Sequence, residues 1–331
     1  MTTKHSSLVL FATAATIIAA ILIAAAGTAC NKSHPSGTRP LPEKKAIVTT
    51  IAGTGIAGFA EGPALSAQFK DPTDVAVGAD GALYIADYGN HRITLDAAGS
   101  LYILDEDIPY IRKISAAADV SGYAGTDTPG YLNGAASIAM FQSDEGGIAA
   151  DAQGNIYIGD SFNDCIRKIG LAGEVTTLAG TDTEGFVDGD GARARFRIPD
   201  GIAVDKQGNI YVGDGGNVCI RKITPGGQVS RFAGSGTPGT ADGNAASAQF
   251  QTIGDIVADG EGNLYVTDED RIRKIKPNGD VTTIAGSTKG YADGDGSAAK
   301  FASPAGLGID GQGNVYLADI LNQRIRKISF Q

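Results

Sequence analysis

The chain has 331 residues, with 27 basic and 37 acidic side chains, a formal charge of -10, 47 glycines and no tryptophan. That acidic balance argues against a nucleic-acid or anionic-lipid partner held by bulk electrostatics. A chain of about 300 residues buries roughly three quarters of its unfolded surface, so a full core needs no disulfide staples.

Residues 1–29 open with Lys4 and His5, run through an apolar stretch at 8–26, and end in Gly27-Thr28-Ala29 before Cys30. A basic start, an apolar core and small residues before a cysteine describe an export signal rather than part of a fold. The ending resembles a bacterial lipoprotein box. That resemblance implies lipidation of Cys30 and a membrane-anchored protein facing the periplasm or cell surface, although Gly27 stands where the pattern usually has leucine. Cleavage after Ala29 is the second reading and gives a soluble periplasmic or secreted protein. A retained transmembrane helix is the third, since the run barely reaches the ~20 residues a bilayer needs. Residues 30–45, with Pro, Ser and Lys and no apolar period, read as a flexible tether. The folded domain is then 46–331.

From Val48 onward the sequence repeats itself. The element V-x-x-x-A-G begins at Val48, Val120, Val175, Val229 and Val281, at intervals of 72, 55, 54 and 52 residues. A strand carrying a tyrosine appears six times, at Tyr84, Tyr102, Tyr157, Tyr211, Tyr265 and Tyr316, at intervals of 18, 55, 54, 54 and 51. Within one copy, residues 201–205, 209–213, 219–223 and 228–232 are apolar or β-branched runs, separated by turns such as Lys206-Gln207-Gly208 and Pro225-Gly226-Gly227. Four antiparallel strands per repeat, recurring five to six times, predict an all-β propeller. Cys165 and Cys219 hold the same place in successive repeats and read as small buried hydrophobes rather than a disulfide.

The full template, V-T-T-(I/L)-A-G, G-(F/Y)-x-D-G, A-x-F, P-x-G-I-A-V-D-x-x-G-N-(I/L)-Y-(V/I)-x-D and I-R-K-I, closely resembles the NHL repeat. Asn90-His91-Arg92-Ile93 stands nearest the motif that names that family, and Asn163-Asp164-Cys165-Ile166 and Asn322-Gln323-Arg324-Ile325 hold the same place elsewhere. The resemblance covers 46–331 and implies a six-bladed propeller. Two irregularities refine this expectation. The last copy has no V-T-T-I-A-G after it and the first element has no blade before it, so residues 48–52 are predicted to be the outer strand of the last blade. Asp87 and Asp105 lie 18 residues apart where about 54 are expected. The first blade, about 72–93, is therefore predicted to be truncated to two or three strands, with an exposed edge able to receive a partner strand.

Candidate chemistry lies on the face bearing the long fourth-to-first strand loops, which is the default binding surface. Asp87, Asp105, Asp160, Asp214, Asp268 and Asp319 end the tyrosine strands. They read chiefly as blade-structural groups accepting hydrogen bonds at their own turns or from the arginine of the next strand. Asp188 with Asp190 and Asp293 with Asp295 place paired carboxylates on glycine-rich loops, a pattern that suits Ca2+ or turns capped by their own side chains. Asp74, Glu145, Asp200 and Asp255 stand near the start of first strands, where side chains can face the axis and form a carboxylate site. His91 is the only histidine of the domain, so the histidine clusters of NHL-like lyases and lactonases cannot assemble. The leading expectation is a monomeric, non-catalytic module with no required cofactor, binding a protein or small ligand on the long-loop face or the truncated edge. A Ca2+-dependent hydrolase, lactonase or lyase is the alternative.

Overall fold

The computed structural model describes residues 7–11, 44–87, 92–105, 110–143 and 146–331. Each complete blade folds around one carboxylate turn. Asp205 Oδ1 accepts the N–H groups of Gln207 and Asn209, while Oδ2 accepts Asn209 Nδ2 at 2.7 Å and the Tyr211 hydroxyl at 3.1 Å. Gly208 supplies the φ of +78° that closes the turn. Asp151, Asp259 and Asp310 do the same in their own copies. The turn sets the register of Pro199–Val204 on Ile210–Asp214, and Cys219–Ile223 and Gln228–Ala233 continue the antiparallel sheet outward.

Blades stack face to face, so Ile210–Asp214 is buried at every residue, whereas Gln228–Ala233, edged by the short strand Gly189–Asp190, mixes buried and exposed positions. Each core cluster joins two blades: Tyr211, Ile220 and Ala233 of one sheet meet Phe250, Ile256 and Leu264 of the next. Cys165 and Cys219 are free thiols within these sheets, and burial pushes both up in pKa.

Five blades are complete, at 92–125, 148–180, 199–233, 256–285 and 304–330, the last closed by an N-terminal strand. This corrects the expected count of six. In the remaining sector β3 (Pro72–Val77) and β4 (Leu83–Asp87) form a hairpin, and β1 (Ser7–Phe11) lies antiparallel on the outer edge of β4. β2 (Ala46–Ala52) pairs with Arg324–Phe330 from Ala46 opposite Phe330 to Ala52 opposite Ile325, which closes the ring. The expected boundary at 93 also moves. β5 (Arg92–Leu95) pairs Ile93 with Ile103, so it is the innermost strand of the next blade, and the hairpin sector ends at Asp87.

Around the axis β3, β5, Ile148–Ala150, Pro199–Val204, Ile256–Ala258 and Pro304–Ile309 follow one another as a closed series of innermost strands. Among the described residues no helix is long and apolar enough to cross a membrane.

Candidate functional site

Every innermost strand brings one residue to the axis just before its first apolar side chain: Asp74, Arg92, Gly147, Gly201, Asp255 and Gly306. The repeat prefers glycine there because neighbouring blades meet at that point. A Cβ on Gly201 would stand 2.2 Å from the Gly254 carbonyl oxygen, and one on Gly306 would stand 2.0 Å from Asp74 Oδ1. Where aspartate replaces glycine, its carboxylate crosses the seam to the following blade. Asp74 Oδ1 accepts the Val75 N–H at 2.7 Å and Oδ2 the Ile93 N–H at 2.9 Å. Asp255 repeats the arrangement with Ile256 at 2.8 Å and Leu307 at 2.7 Å.

Burial is the largest influence on both carboxyls. It pushes Asp74 up to about 7, helped by the Asp255 charge and opposed by Arg92 and the two backbone donors. Asp255 is also raised by burial, against Arg92 and its own N–H donors. Arg92 sends Nη1 toward the Thr73 carbonyl at 3.4 Å. Two carboxyls and one guanidinium thus share the axis. Above them, on the face where the long loops enter the ring, opens a cavity of about 350 Å³ lined by Thr73, Arg92, Asp200, Thr252, Glu269 and Asp270, among others. Below lies a channel of about 190 Å³, lined by Ala76, Ala149, Ala203 and Gly308 with their strands, and Arg92 belongs to both spaces.

A second constellation recurs under the rim. Arg221 is fully buried and donates to Asp214 at 2.9 Å, Asp188 at 2.6 Å, and the carbonyls of Arg195 and Val187 at 3.0 and 2.8 Å. The Phe186 and Phe196 rings enclose it at 4.6 and 4.9 Å. Arg167, Arg273 and Arg326 sit in matching cages with Asp160, Asp268 and Asp319.

The family model for the NHL repeat matches residues 69–95 and 196–223, which are two copies of the unit that builds the hairpin sector and a full blade. The chain carries NHL repeats on a propeller fold. The NHL chain is 25% identical over 376 residues to Teneurin-3 of Mus musculus, an alignment covering 87% of this chain but only 14% of that one. Among solved structures it is similar to an auxiliary nutrient binding protein from Bacteroides thetaiotaomicron, with 19% identity, a TM-score of 0.64, and coverage of 89% of this chain and 79% of that one. It also resembles a virginiamycin B lyase from Staphylococcus aureus, with 13% identity, a TM-score of 0.53, and coverage of 86% and 99%. At these identities the structural likenesses establish the fold alone.

In this NHL propeller the structure brings Asp74 and Asp255 together on the axis and sets Asp200 at the mouth. Glu145, His91 and Cys30 lie outside the described residues. The rim pairs do not converge. Asp188 is turned inward to Arg221 while Asp190 accepts Gln228 Nε2 at 3.0 Å; Asp293 is turned to Arg326 while Asp295 meets Lys45 at 2.6 Å. Among the described residues no three His, Cys, Asp or Glu side chains gather as a metal-binding group. Of the strand-ending aspartates, Asp87 accepts the Lys70 N–H at 2.8 Å, and Asp105 stands 3.9 Å from Arg112. Arg92 was missed as an axial residue. The signal was the alignment of Ile93 with Ile202, which places Arg92 where Gly201 stands.

Proposed function

We propose that this NHL propeller is an exported binding module, anchored through a lipid on Cys30, that takes a small polar ligand with hydroxyl or cationic groups at its axial mouth. The carrying observation is the division of labour on the axis. Asp74 and Asp255 each have one oxygen engaged by a backbone N–H of their own strand and the other by one across a blade seam, while the cavity above them presents Asp200, Thr252, Glu269 and Asp270 to a ligand. A cavity of about 350 Å³ falls at the small end of the range for ligand sites. The fold similarity to a nutrient-binding protein is consistent with this reading.

Titration of the full chain with polyhydroxylated and amine-bearing compounds tests it. Thr252→Trp and Asp270→Ala should weaken binding at least tenfold with little change in melting temperature, and no effect of either variant would remove the site from the mouth. Labelling cells with an alkyne fatty acid tests the anchor: wild type should label and Cys30→Ala should not.

A second reading is acid–base catalysis, favoured by the Asp74 carboxyl held near 7 beside Asp255 and Arg92. Turnover of a bound compound that Asp74→Asn abolishes while binding persists would replace the first reading with this one.

A further inference from the structure

Among the described residues the hairpin sector contains the walls of an arginine cage but no strand that carries an arginine to it. In the full blades the cage comes mainly from the incoming loop: an aromatic, two carbonyls and a polar side chain, completed by the aspartate of the second strand. Around Arg167 these are Tyr131, Leu132 O at 2.7 Å, Met140 O at 2.9 Å, Asn133 at 2.9 Å and Asp160 at 2.6 Å.

The loop leading into β3 has the same construction. Ala60 bridges Gln68 as Leu132 bridges Met140 and Val187 bridges Arg195, and Gly58 donates to the Phe69 carbonyl at 2.9 Å as Gly185 does to that of Phe196. Phe59, Glu61 and Asp87 therefore stand where Phe186, Asp188 and Asp214 surround Arg221. Asp87 Oδ1 takes the Lys70 N–H at 2.8 Å, as Asp214 Oδ1 takes that of Arg197 at 2.8 Å. Asp87 Oδ2, the oxygen that meets the guanidinium in four blades, has no hydrogen-bond partner among the described residues. Phe59 is 64% exposed, against 45% for Phe186 over its arginine.

The following blade shows the converse. It is reached without a long loop, and Arg112 there is half exposed, 3.9 Å from Asp105. The 36-residue shortfall between Asp87 and Asp105, measured against the usual spacing of 54, thus removes one arginine strand, one outer strand and the next loop. It leaves a cage and an arginine in different sectors.

The edge beside the cage takes an antiparallel strand. β1 pairs with β4 and places Val9 opposite Ile85, the register position at which Arg221 faces Val212 and Arg167 faces Ile158. The chain's own strand therefore brings no guanidinium to the cage.

We infer that the outer edge of β4, with Phe59, Glu61 and Asp87, is a docking site for an extended partner segment of the pattern apolar-Arg-x-apolar. Main-chain pairing with β4 supplies affinity, and a charge-assisted contact from the arginine to Asp87 and Glu61 supplies selection. The flanking apolar positions follow from Ile220 and Ile223, which are buried on either side of Arg221. An incoming strand takes the place of residues 7–11. Under the export reading, removal of 1–29 opens the edge, but the inference itself rests on the cage.

The test uses the full chain, its Val9→Pro variant to weaken the resident strand, and a fluorescent peptide copying residues 165–180 with serine for cysteine. Anisotropy should show the peptide binding Val9→Pro more tightly than wild type. An Arg→Gln peptide should bind at least tenfold more weakly. Glu61→Gln, an exposed change that leaves folding intact, should narrow that difference, and Asp87→Asn should erase it if the variant keeps a cooperative melt. Equal binding of the two peptides, or no binding to Val9→Pro, overturns the inference. Displacement of the peptide by free arginine as effectively as by unlabelled peptide would assign the site to a small guanidinium compound and overturn the strand.

Discussion

Arg221 and Asp214 face each other at 2.9 Å with neither side chain exposed to solvent. The pair joins the third strand of a blade to the end of its second, and the other guanidinium nitrogen ties in the incoming loop through Asp188 and Val187. One buried cation thus ties two consecutive strands to a loop more than 30 residues earlier in the sequence.

Removing one partner of such a pair strands the other charge in the interior. Arg221→Met should cost about 3–5 kcal/mol, read from urea unfolding. Arg112→Met, at a half-exposed arginine 3.9 Å from Asp105, should cost roughly 1 kcal/mol or less. Equal losses would show that the cage contributes nothing beyond surface pairing.

The axial carboxyls make stability depend on pH in a sense opposite to that of a paired aspartate. Asp74 is pushed up to about 7 by burial and by Asp255, against about 3.9 in an unfolded chain. The native state keeps a proton that the unfolded state releases, so this group stabilises most below about pH 4 and loses its contribution as pH rises toward 7. Asp74→Asn should flatten that decline by on the order of a few kcal/mol in unfolding free energies measured from pH 4 to 7. Asp87, raised to about 6 by burial, is present in both proteins and cancels in the difference. Parallel pH curves would refute the assignment.

At the glycine seam space decides. Gly201→Ala would set a Cβ 2.2 Å from the Gly254 carbonyl oxygen and 2.7 Å from the Asp255 Cα, so the inner strands must part. A loss of about 1–3 kcal/mol is expected. Gly227→Ala, with nothing within 4 Å of the new atom but a φ of +80°, should lose stability through backbone strain alone, by about 1–2 kcal/mol. Thermal melts of the two variants check the ordering.

The thiols of Cys165 and Cys219 are buried and raised in pKa by that burial. In a Cys30→Ala background an aromatic disulfide reagent should label neither at neutral pH until denaturant is added, after which both should react. Fast labelling of the folded protein would show that the blades open locally.

Much of the architecture was legible because a repeated unit carries its own register. The Asp205, Gly208, Asn209 and Tyr211 pattern builds a hairpin wherever it occurs, and the unmatched element at Val48 declared the strand that closes the ring. The boundary near Ile93 was not legible. A first and a third strand both present an isoleucine in an extended run, and the choice depends on which neighbour pairs with it; here those neighbours are Ile103 and the carboxylate of Asp74. The acids at 74 and 255 were readable from their place before an inner strand. The loss of Asp188 and Asp293 to buried arginines was not, because each contact spans about half a repeat or more in sequence.

By itself the sequence determined the propeller, its strand order and its closure, since these follow from local turn chemistry and hydrophobic alternation repeated along the chain. Only the tertiary structure decided that five blades are complete, that Arg92 shares the axis with two carboxyls, and that Phe59, Glu61 and Asp87 stand beside β4 in the positions of an arginine cage. Those facts depend on which side chains meet across seams between blades, where distance along the chain says nothing about distance in space.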